Sequence, residues 1–451
     1  IERCFIHSPR GRAHSWRFSG LPNNWQGNSS VPLQGYVNDI VAAPLKQTDG
    51  TDVQELVAST AFLGDVDLDF DAQKIAYSAG VPNERGWRIM ETPLAKPMTQ
   101  TQLSPRDQPD IDCYDPCYLP DGRMLFVATS GFHGVPCVSG SDYVGNTHLR
   151  ELDGSVKRLV FDQDNSWCPV VMNNGRVLYL RWEYTDSAHY FSRVMMTMNP
   201  DGSDQKAFYG SNSYWPNSLF YARPLPGSVT KFCGIVSGHH GHAREGELVL
   251  FDVTKGRNET GGVMQRIPGW GKPVQNKARD TLVNPSHPLF LHPFPVSDEL
   301  FLVAFHQNAG EPFMIAFADI YDNIVPLWRM GNLNLLEPVP VAARKKPIVS
   351  INRRNDDTDK CTVFLQSAEF GEGLKGVPRG IAKKLRLFQY SYSPRNKGGH
   401  YVIGFEGPWD ARSIIGEVDL EGEVEVGAFL FDIYDLGGLF YDSGKHFSKG
   451  N

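Results

Sequence analysis

The stretch DPCYLPDGRMLFVAT, residues 115–129, decides the fold because its pattern recurs along the chain. Pro116 is followed five residues later by a two-residue turn, Asp121-Gly122, and then by an apolar run typical of a strand. The same unit begins at three further prolines: Pro169, Pro293 and, with a longer turn at Pro226-Gly227, Pro216. Strand–turn–strand units at intervals of roughly fifty residues indicate a β-propeller, in which each blade is one small antiparallel sheet.

The composition limits the class of protein. A chain of 451 residues with 41% hydrophobic and 21% charged residues suits a globular propeller with flanking modules. The net charge of −7 argues against a nucleic-acid-binding protein, which would normally present a basic face. No apolar run reaches the roughly 18 residues of a transmembrane segment. The chain begins at Ile1 without a signal-peptide pattern, which is typical of a processed or partial sequence.

We predict an all-β protein, because helical periodicity is almost absent. The first residues lack a strand period, a Pro-rich and then charged stretch follows the repeats, and strand-like alternation resumes beyond it. The expected parts are an N-terminal arm over 1–58, a β-propeller of five or six blades over 59–340, a linker over 341–360 and a β-rich C-terminal module over 361–451. The first blade, at 67–79, is expected to be degenerate.

Propeller topology predicts which loops share a face. The loop between the second and third strands of a blade lies on the same face as the segment before the first strand, which we call the rim face. The loops expected there carry six histidines: His133, His189, His239, His240, His242 and His306. The residues that precede the repeated prolines are expected on the same face: Asp115, Cys168, Trp215 and His292.

One hypothesis for this face is a metal site. Imidazole suits divalent transition metals such as zinc, manganese or iron. The loop GHHGH is flexed by glycines, so that its histidines could converge with one from a neighbouring blade. The expected ligands are His239, His240, His242 and His292.

A second hypothesis is a site for a polar substrate. His189 or Glu183 would act as general acid or base, while Arg181 and Arg244 would hold an anionic group such as a uronate or sulfate. Further contacts would come from Trp182, Asp115, His133 and Glu245. A third interpretation assigns no chemistry to these side chains, because polar loop residues of a propeller also cap turns and bind neighbouring blades.

Tryptophans and cysteines leave alternatives open. Trp182 would stack on a sugar ring if it is open to solvent, but one tryptophan per blade is also a packing device. Seven cysteines leave at least one unpaired within the chain. Four of them fall near the rim face and would either form disulfides or ligate a metal: Cys113, Cys117, Cys137 and Cys168. The CxxCH motif of covalent haem attachment is absent from the sequence.

Long strings of this sequence resemble the family of proteins related to the hydrazine synthase alpha subunit. They lie between about 105 and 418 and include SWCPVVMNNGRVLYLRWEYTDSAHYFSRVMMTMNPDG (166–202), SGHHGHAREGELVLFD (237–252), FLHPFPVSDELFLVAFH (290–306) and GGHYVIGFEGPWDARSIIGEV (398–418). The general repeat also resembles TolB-type propellers. The resemblance implies an extracytoplasmic propeller followed by a β-rich middle domain and, in many relatives, a downstream c-type haem domain. The chain departs from that pattern in having no CxxCH, so hydrazine chemistry is not carried over.

The function predicted from these observations is binding of a polar ligand at the histidine-rich rim face, with cleavage as an extension. An acidic carbohydrate is the leading ligand class, and the expected location is the periplasm or cell surface. One alternative is a subunit of a hydrazine synthase-like redox complex whose haem domain lies outside this chain, with protein partners in that complex. Another is a purely structural interaction module.

Overall fold

The computed structural model describes residues 3–10, 21–46, 52–81, 86–135, 138, 140–182, 193–211, 213–284, 286–349, 352–353, 360–365, 376–392, 410–419 and 427–432. Within these ranges the chain forms 28 strands and a single 3₁₀ helix, Asn28–Ser30. None of the helical structure in these ranges is long and apolar enough to cross a membrane.

The first half of the strands comprises β1 (Arg3–Arg10), β2 (Gln34–Pro44), β3 (Gln54–Ala61), β4 (Leu63–Leu68), β5 (Lys74–Gly80), β6 (Trp87–Pro93), β7 (Thr101–Gln102), β8 (Cys113–Tyr118), β9 (Met124–Ala128), β10 (Asn146–Arg150), β11 (Val156–Arg158), β12 (Ser166–Val171), β13 (Val177–Trp182) and β14 (Arg193–Met198). The second half comprises β15 (Lys206–Tyr209), β16 (Ser218–Pro224), β17 (Lys231–Ser237), β18 (Glu247–Asp252), β19 (Val263–Ile267), β20 (Leu289–Pro295), β21 (Leu300–His306), β22 (Met314–Asp319), β23 (Ile324–Trp328), β24 (Leu336–Pro340), β25 (Lys360–Leu365), β26 (Lys384–Tyr392), β27 (Asp410–Asp419) and β28 (Gly427–Asp432).

Six four-stranded antiparallel sheets form a six-bladed β-propeller, which confirms the predicted fold. Blades 1 to 5 are β4–β7, β8–β11, β12–β15, β16–β19 and β20–β23, and blade 6 has the order β24-β1-β2-β3. The innermost strands contact one another in sequence around a closed ring, from β4 through β8, β12, β16, β20 and β24 back to β4. Blade 1 is complete rather than degenerate.

Blade 6 corrects the expected N-terminal arm. Residues 3–61 supply three of its strands, and β24, from the far end of the propeller, supplies the innermost one. β1 pairs with β2 over its whole length and with β24 on its other side, where Cys4 lies opposite Pro340. Pairing the two ends of the propeller segment closes the ring. The N-terminal segment is irregular in composition, and its partner β24 lies some 330 residues further along the chain (336 − 6). Local periodicity therefore could not reveal blade 6.

A β-bulge interrupts the innermost strand of every blade at the same place. The residue at each bulge has a positive φ, between 47° and 58°, which non-glycine residues adopt infrequently. These six residues, which we call the bulge ring, are Asp65, Asp115, Cys168, Tyr221, His292 and Glu337. They line the axial channel of the propeller.

The bulge ring also corrects the position of the repeated prolines. Pro116, Pro169 and Pro293 each follow a bulge residue inside an innermost strand. They do not precede the strand on the rim face. A proline is tolerated there because a bulge on an edge strand needs no ladder N–H. In blade 4 the equivalent residue is Tyr221 rather than Trp215, because Pro216 lies before β16.

Large aromatic side chains pack between the blades. Trp87, Trp167, Trp182 and Trp215 are all fully buried, and Trp167 stacks on Trp182 with ring centroids 6.3 Å apart. The packing interpretation therefore holds for Trp182 as well as for the others. It has no exposed face on which a sugar could stack.

Beyond the propeller, the described strands form two two-stranded sheets. β25 pairs with β28 and β26 pairs with β27, as expected for a β-rich C-terminal module. The expected linker begins as an extended segment that binds blade 1. Lys346 Nζ lies 2.6 Å from Asp71 Oδ2, and Arg344 contacts Asp67 at 3.5 Å.

Candidate functional site

The rim face carries a crossing segment that the sequence did not predict. Residues 21–33 belong to the connection between β1 and β2, which in blade 6 joins the second strand to the third. Asn24 binds Ser237 and Gly238 of blade 4, whereas Asn28 donates to Asp65 of blade 1. Because the same segment contacts blades on both sides of the axis, it covers the channel at this face.

A potential metal-binding cluster lies next to this segment. His239 and His240 follow β17, and Asp280 lies in the connection from blade 4 to blade 5. One ligand atom from each residue lies within 4.8 Å of the other two. His239 is buried, whereas His240 and Asp280 are 44% and 48% exposed, so the cluster is open on one side. Three N/O ligands with an open side suit a divalent transition metal that keeps a position for an exogenous ligand.

The backbone holds this cluster together. The N–H groups of His239 and His240 both donate to the carbonyl oxygen of Asp280, at 2.8 and 3.2 Å. A Cβ atom at Gly238 would lie 2.7 Å from the same carbonyl, so the close approach requires glycine. The short distance between the two chain segments is therefore a property of the fold rather than of two mobile side chains.

The side chain of Asp280 orients His240. His240 Nδ1 lies 2.7 Å from Asp280 Oδ1. Since a carboxylate only accepts, the Nδ1 atom carries the proton and the lone pair of a neutral ring lies on Nε2. A metal bound by both residues would replace the proton between Nδ1 and Oδ1, since metal ligands must be deprotonated. The indole of Trp25 lies edge-on to His240, with ring centroids 4.8 Å apart, and forms an aromatic wall beside the cluster.

A second polar cluster lies on the same face, around Glu245. Its Oε1 atom accepts from His242 Nδ1 at 2.7 Å, and its Oε2 atom from His306 Nε2 at 3.0 Å. Burial opposes the charge on Glu245, but the hydrogen bonds from the two histidines outweigh it and lower its pKa to about 2. The bond to Glu245 raises the pKa of His242. The ring of His287 lies beside those of His242 and His306. Burial, and then the charges of these two histidines, lower the pKa of His287.

The bulge ring holds the third polar group, inside the channel. Each of its carboxylates accepts a backbone N–H from the next blade: Glu337 from Val66, Asp65 from Asp115, and Asp115 from Cys168. Burial and then the charge of Asp65 raise the pKa of Asp115 to about 7, and burial and Glu337 raise that of Asp65. These side chains join neighbouring blades, and Asp115 keeps its proton to a higher pH than an ordinary aspartate.

The structure separates the predicted metal ligands. His239 and His240 lie together, but their carboxylate partner is Asp280, which the sequence analysis did not select. His242 instead binds Glu245. His292 belongs to the bulge ring, where its ring lies 4.2 Å from that of Tyr221. Four residues of the second hypothesis are likewise placed elsewhere than expected.

Arg181 is paired with Asp162 at 3.1 Å, and its side chain is 13% exposed. Arg244 is buried, donates to the carbonyl of Gln26 and packs over Trp167, so neither arginine is open to an anionic ligand. The other two residues, Asp115 and His133, are largely enclosed: Asp115 lies in the channel, and buried His133 is next to the carbonyl of Asp162. Among the described residues of this group, Glu245 is bonded to two histidines of the rim face, His242 and His306. His189 and Glu183 fall outside the described residues.

The cysteine alternatives are also resolved where the chain is described. Cys113, Cys117 and Cys168 are free thiols, as are Cys4 and Cys233. Burial raises the pKa of Cys113 to about 12, which disfavours the thiolate that would ligate a metal. Cys137 falls outside the described residues.

Sequence reasoning missed Asp280, His287 and Trp25. Asp280 and His287 lie in the stretch NKARDTLVNPSHP (276–288), which comes just before the strand that contains Pro293. Segments that precede a first strand were expected on the rim face, so the position of these two residues in the sequence could have identified them. Trp25 gave no such signal, because the blade that brings it to this face is assembled from distant parts of the chain.

Comparison with solved structures shows the same fold elsewhere. Hydrazine synthase from Kuenenia stuttgartiensis superposes with a TM-score of 0.67 at 14% sequence identity, over 95% of this chain and 64% of that one. The present chain thus spans less than two thirds of that protein, and the likeness concerns the fold alone. An oligogalacturonate lyase from Vibrio parahaemolyticus, at 11% identity, covers 72% of this chain and 79% of its own with a TM-score of 0.39. A propeller domain of the Trilobed protease from Pyrococcus furiosus, at 10% identity, covers 65% and 78% with a TM-score of 0.36.

No protein-family model and no curated protein sequence matches the chain. The structural similarity to hydrazine synthase and the six-bladed propeller agree with the resemblance drawn from the sequence, at the level of the fold.

Proposed function

We propose that the rim face binds a divalent transition metal through His239, His240 and Asp280, and that this metal holds an anionic oxygen ligand. The observation that carries the proposal is the convergence of one ligand atom from each of these residues within 4.8 Å, on a side open to solvent. The proposal retains a metal but replaces two of the four histidines expected from the sequence with one carboxylate.

The surroundings favour a polar, anionic ligand. Three protein ligands leave coordination positions that carboxylate, hydroxyl or water oxygens can occupy. Trp25 adds an apolar wall beside His240. An acidic carbohydrate, with its carboxylate and hydroxyl groups, matches this set.

Metal titration tests the proposal. We expect the purified protein, stripped of metal, to bind Zn²⁺ or Co²⁺ with one site by calorimetry, and His240→Ala or Asp280→Asn to weaken binding at least tenfold with little change in melting temperature. His242→Asn is the matched control, because it lies on the same loop but outside the cluster. Equal loss with His242→Asn, or wild-type affinity in His240→Ala, would refute this assignment.

The ligand is tested in the same preparation. Galacturonate oligomers should raise the melting temperature of the metal-loaded protein, and the increase should vanish in His240→Ala. Neutral glucose oligomers serve as the control for carboxylate recognition. A response that is the same with and without metal would show that the sugar does not bind through this cluster.

A second candidate rests on the structural comparison. The similarity to hydrazine synthase extends over 95% of this chain, which includes residues beyond the propeller, and hydrazine synthase is the longer protein. On this proposal the chain is the extracytoplasmic part of a redox complex whose haem lies outside it. A Soret band in protein purified with its native partners, together with recovery in the periplasmic fraction, would support this candidate. A purely structural interaction module would show neither metal binding, sugar binding nor haem.

A further inference from the structure

The axial channel contains a cavity on the side away from the rim face. It extends from the bulge ring to the residues that end the innermost strands, including Phe70 and Tyr118. Its volume is about 70 Å³, several times the roughly 10–15 Å³ that one buried water needs on this measure. The crossing segment covers the other end, so a ligand would enter from the face opposite the histidines.

Arg223 lies in the wall of this cavity, in β16. Its guanidinium carbon lies 5.1 Å from the centroid of the Phe294 ring. Within the described part of the chain, no hydrogen bond or ion pair occupies this guanidinium. When a guanidinium stacks on an aromatic ring, the N–H donors at its edge stay free to bind an acceptor that lies in the plane of the guanidinium.

A second arginine lies in the same cavity. Arg344 donates to the carbonyl of Leu68 and contacts Asp67 at 3.5 Å, while its guanidinium lies 4.6 Å over the ring of Phe70. Its Nε atom is buried and has no hydrogen-bond partner in the described protein. A buried donor without an acceptor is unfavourable, so this atom favours a bound acceptor.

The acidic residues of the channel do not neutralise this end. The three carboxylates of the bulge ring, Asp65, Asp115 and Glu337, line the same cavity, but each accepts a backbone N–H group of the next blade. Burial raises the pKa of Asp65 and of Asp115, which favours their neutral forms. Burial lowers the pKa of Arg223, and among the neighbouring charges Asp67 raises it and Arg344 lowers it. Asp67 is itself occupied by the Tyr118 N–H and by Arg344. Two cations thus share one carboxylate.

We propose that this cavity binds a small oxyanion, with Arg223 and Arg344 as its ligands. Carboxylate, phosphate and sulfate all present the paired oxygens that a guanidinium recognises in its plane. A neutral ligand would leave two repelling cations in a site with little water, and a cationic one would add a third. The volume fits one such group, either as a free ion or as the charged end of a longer molecule that reaches in from the opposite face.

Calorimetry with phosphate, sulfate and acetate, each at constant ionic strength set with chloride, tests the site. We expect saturable binding of at least one anion to the wild type, and at least tenfold weaker binding in both Arg223→Gln and Arg344→Gln. Arg257→Gln, an exposed arginine on blade 4, should bind as the wild type does. His240→Ala should also bind normally, which separates this site from the proposed rim metal. Selective binding of acetate would indicate that the natural ligand carries a carboxylate. Selective binding of phosphate or sulfate would indicate a tetrahedral oxyanion.

A crystal grown with selenate gives a readout that does not depend on variant stability. Its anomalous signal should appear between Arg223 and Arg344 in the wild type and be absent in Arg223→Lys, which keeps the charge but loses the planar fork. Absence of saturable binding of all three anions, unchanged affinity in both glutamine variants, or a selenate peak only outside the channel would overturn the proposal.

Discussion

Glu245 of blade 4 and His306 of blade 5 are joined by a hydrogen bond of 3.0 Å between Oε2 and Nε2. The other ring nitrogen of His306, Nδ1, lies 2.8 Å from the carbonyl oxygen of Asn308. Glu245 therefore joins blade 4 to blade 5 through a side-chain hydrogen bond, and the same carboxylate binds His242 within its own loop.

Glu245→Gln should destabilise the protein by about 2 kcal/mol, because two charge-assisted hydrogen bonds are weakened. The contribution of Glu245, whose pKa falls from 4.5 to about 2 on folding, is present above pH 4.5 and lost as the pH falls below it. That of His242, whose pKa is raised, is present below pH 6.5 and lost as the pH rises through the folded value. The difference from wild type should thus be largest between pH 4.5 and 6.5.

Urea unfolding at pH 3, 5.5 and 8 measures this dependence, with Glu299→Gln, an exposed glutamate at the β20–β21 turn of blade 5, as the control. A deficit of the same size at all three pH values would show that the charge of Glu245 is not what stabilises the loop.

Asp115→Asn should have the opposite pH dependence. Burial and Asp65 raise the pKa of Asp115 from 3.8 to about 7, so its favourable protonated state is available below pH 3.8 and is lost as the pH rises through 7. The amide has no charge to bury, and its oxygen can still accept the Cys168 N–H. We expect the variant to match wild type near pH 5 and to be more stable by about 1–2 kcal/mol at pH 8.5.

Thermal melts at the two pH values, alongside the exposed control Asp71→Asn, measure this effect. A variant that is less stable than wild type at pH 8.5 would mean that the ionised carboxylate is needed to hold blades 2 and 3 together.

Gly27→Ala should destabilise the crossing segment. A Cβ atom at this position would lie 2.2 Å from the hydroxyl oxygen of Tyr114 and 3.0 Å from the carbon that bears it. Such overpacking in a closely packed site costs about 1–3 kcal/mol. Removing the hydroxyl with Tyr114→Phe should recover part of that loss in the double variant.

A double-mutant cycle by urea unfolding measures the coupling between these two residues. Additive effects would show that the segment adjusts around the methyl group and does not lie tightly against blade 2.

Arg181→Met should unfold more easily without losing any rim-face binding. The Arg181–Asp162 pair is largely buried, and removing one partner of such a pair typically costs about 3–5 kcal/mol because the other charge is left uncompensated. Lys206→Met, which breaks an exposed pair with Asp204, should cost no more than about 1 kcal/mol. Denaturation together with metal titration distinguishes the two roles. Normal stability with lost ligand binding would return Arg181 to the functional site.

Local sequence was sufficient for most of the propeller. The turns at Asp121-Gly122 and Asn174-Gly175 and the apolar runs after them fall where the second strands begin, because a positive φ at glycine and strand alternation are short-range properties. The face that carries the loop histidines followed from the topology of a single blade. The bulge ring did not, since the prolines that follow Asp115, Cys168 and His292 were placed outside the strand.

The amino-acid sequence alone thus determined the class of fold, the approximate blades and the presence of histidines on one face. Tertiary structure decided how blade 6 closes, which carboxylate meets each histidine and which arginines remain open. Asp280 reaches His240 across 40 residues and Glu245 reaches His306 across 61, each between segments that the folded propeller brings together. Burial separated Arg223, in the cavity, from Arg181, in an ion pair. Both outcomes depend on distances through space, which the order of residues does not contain.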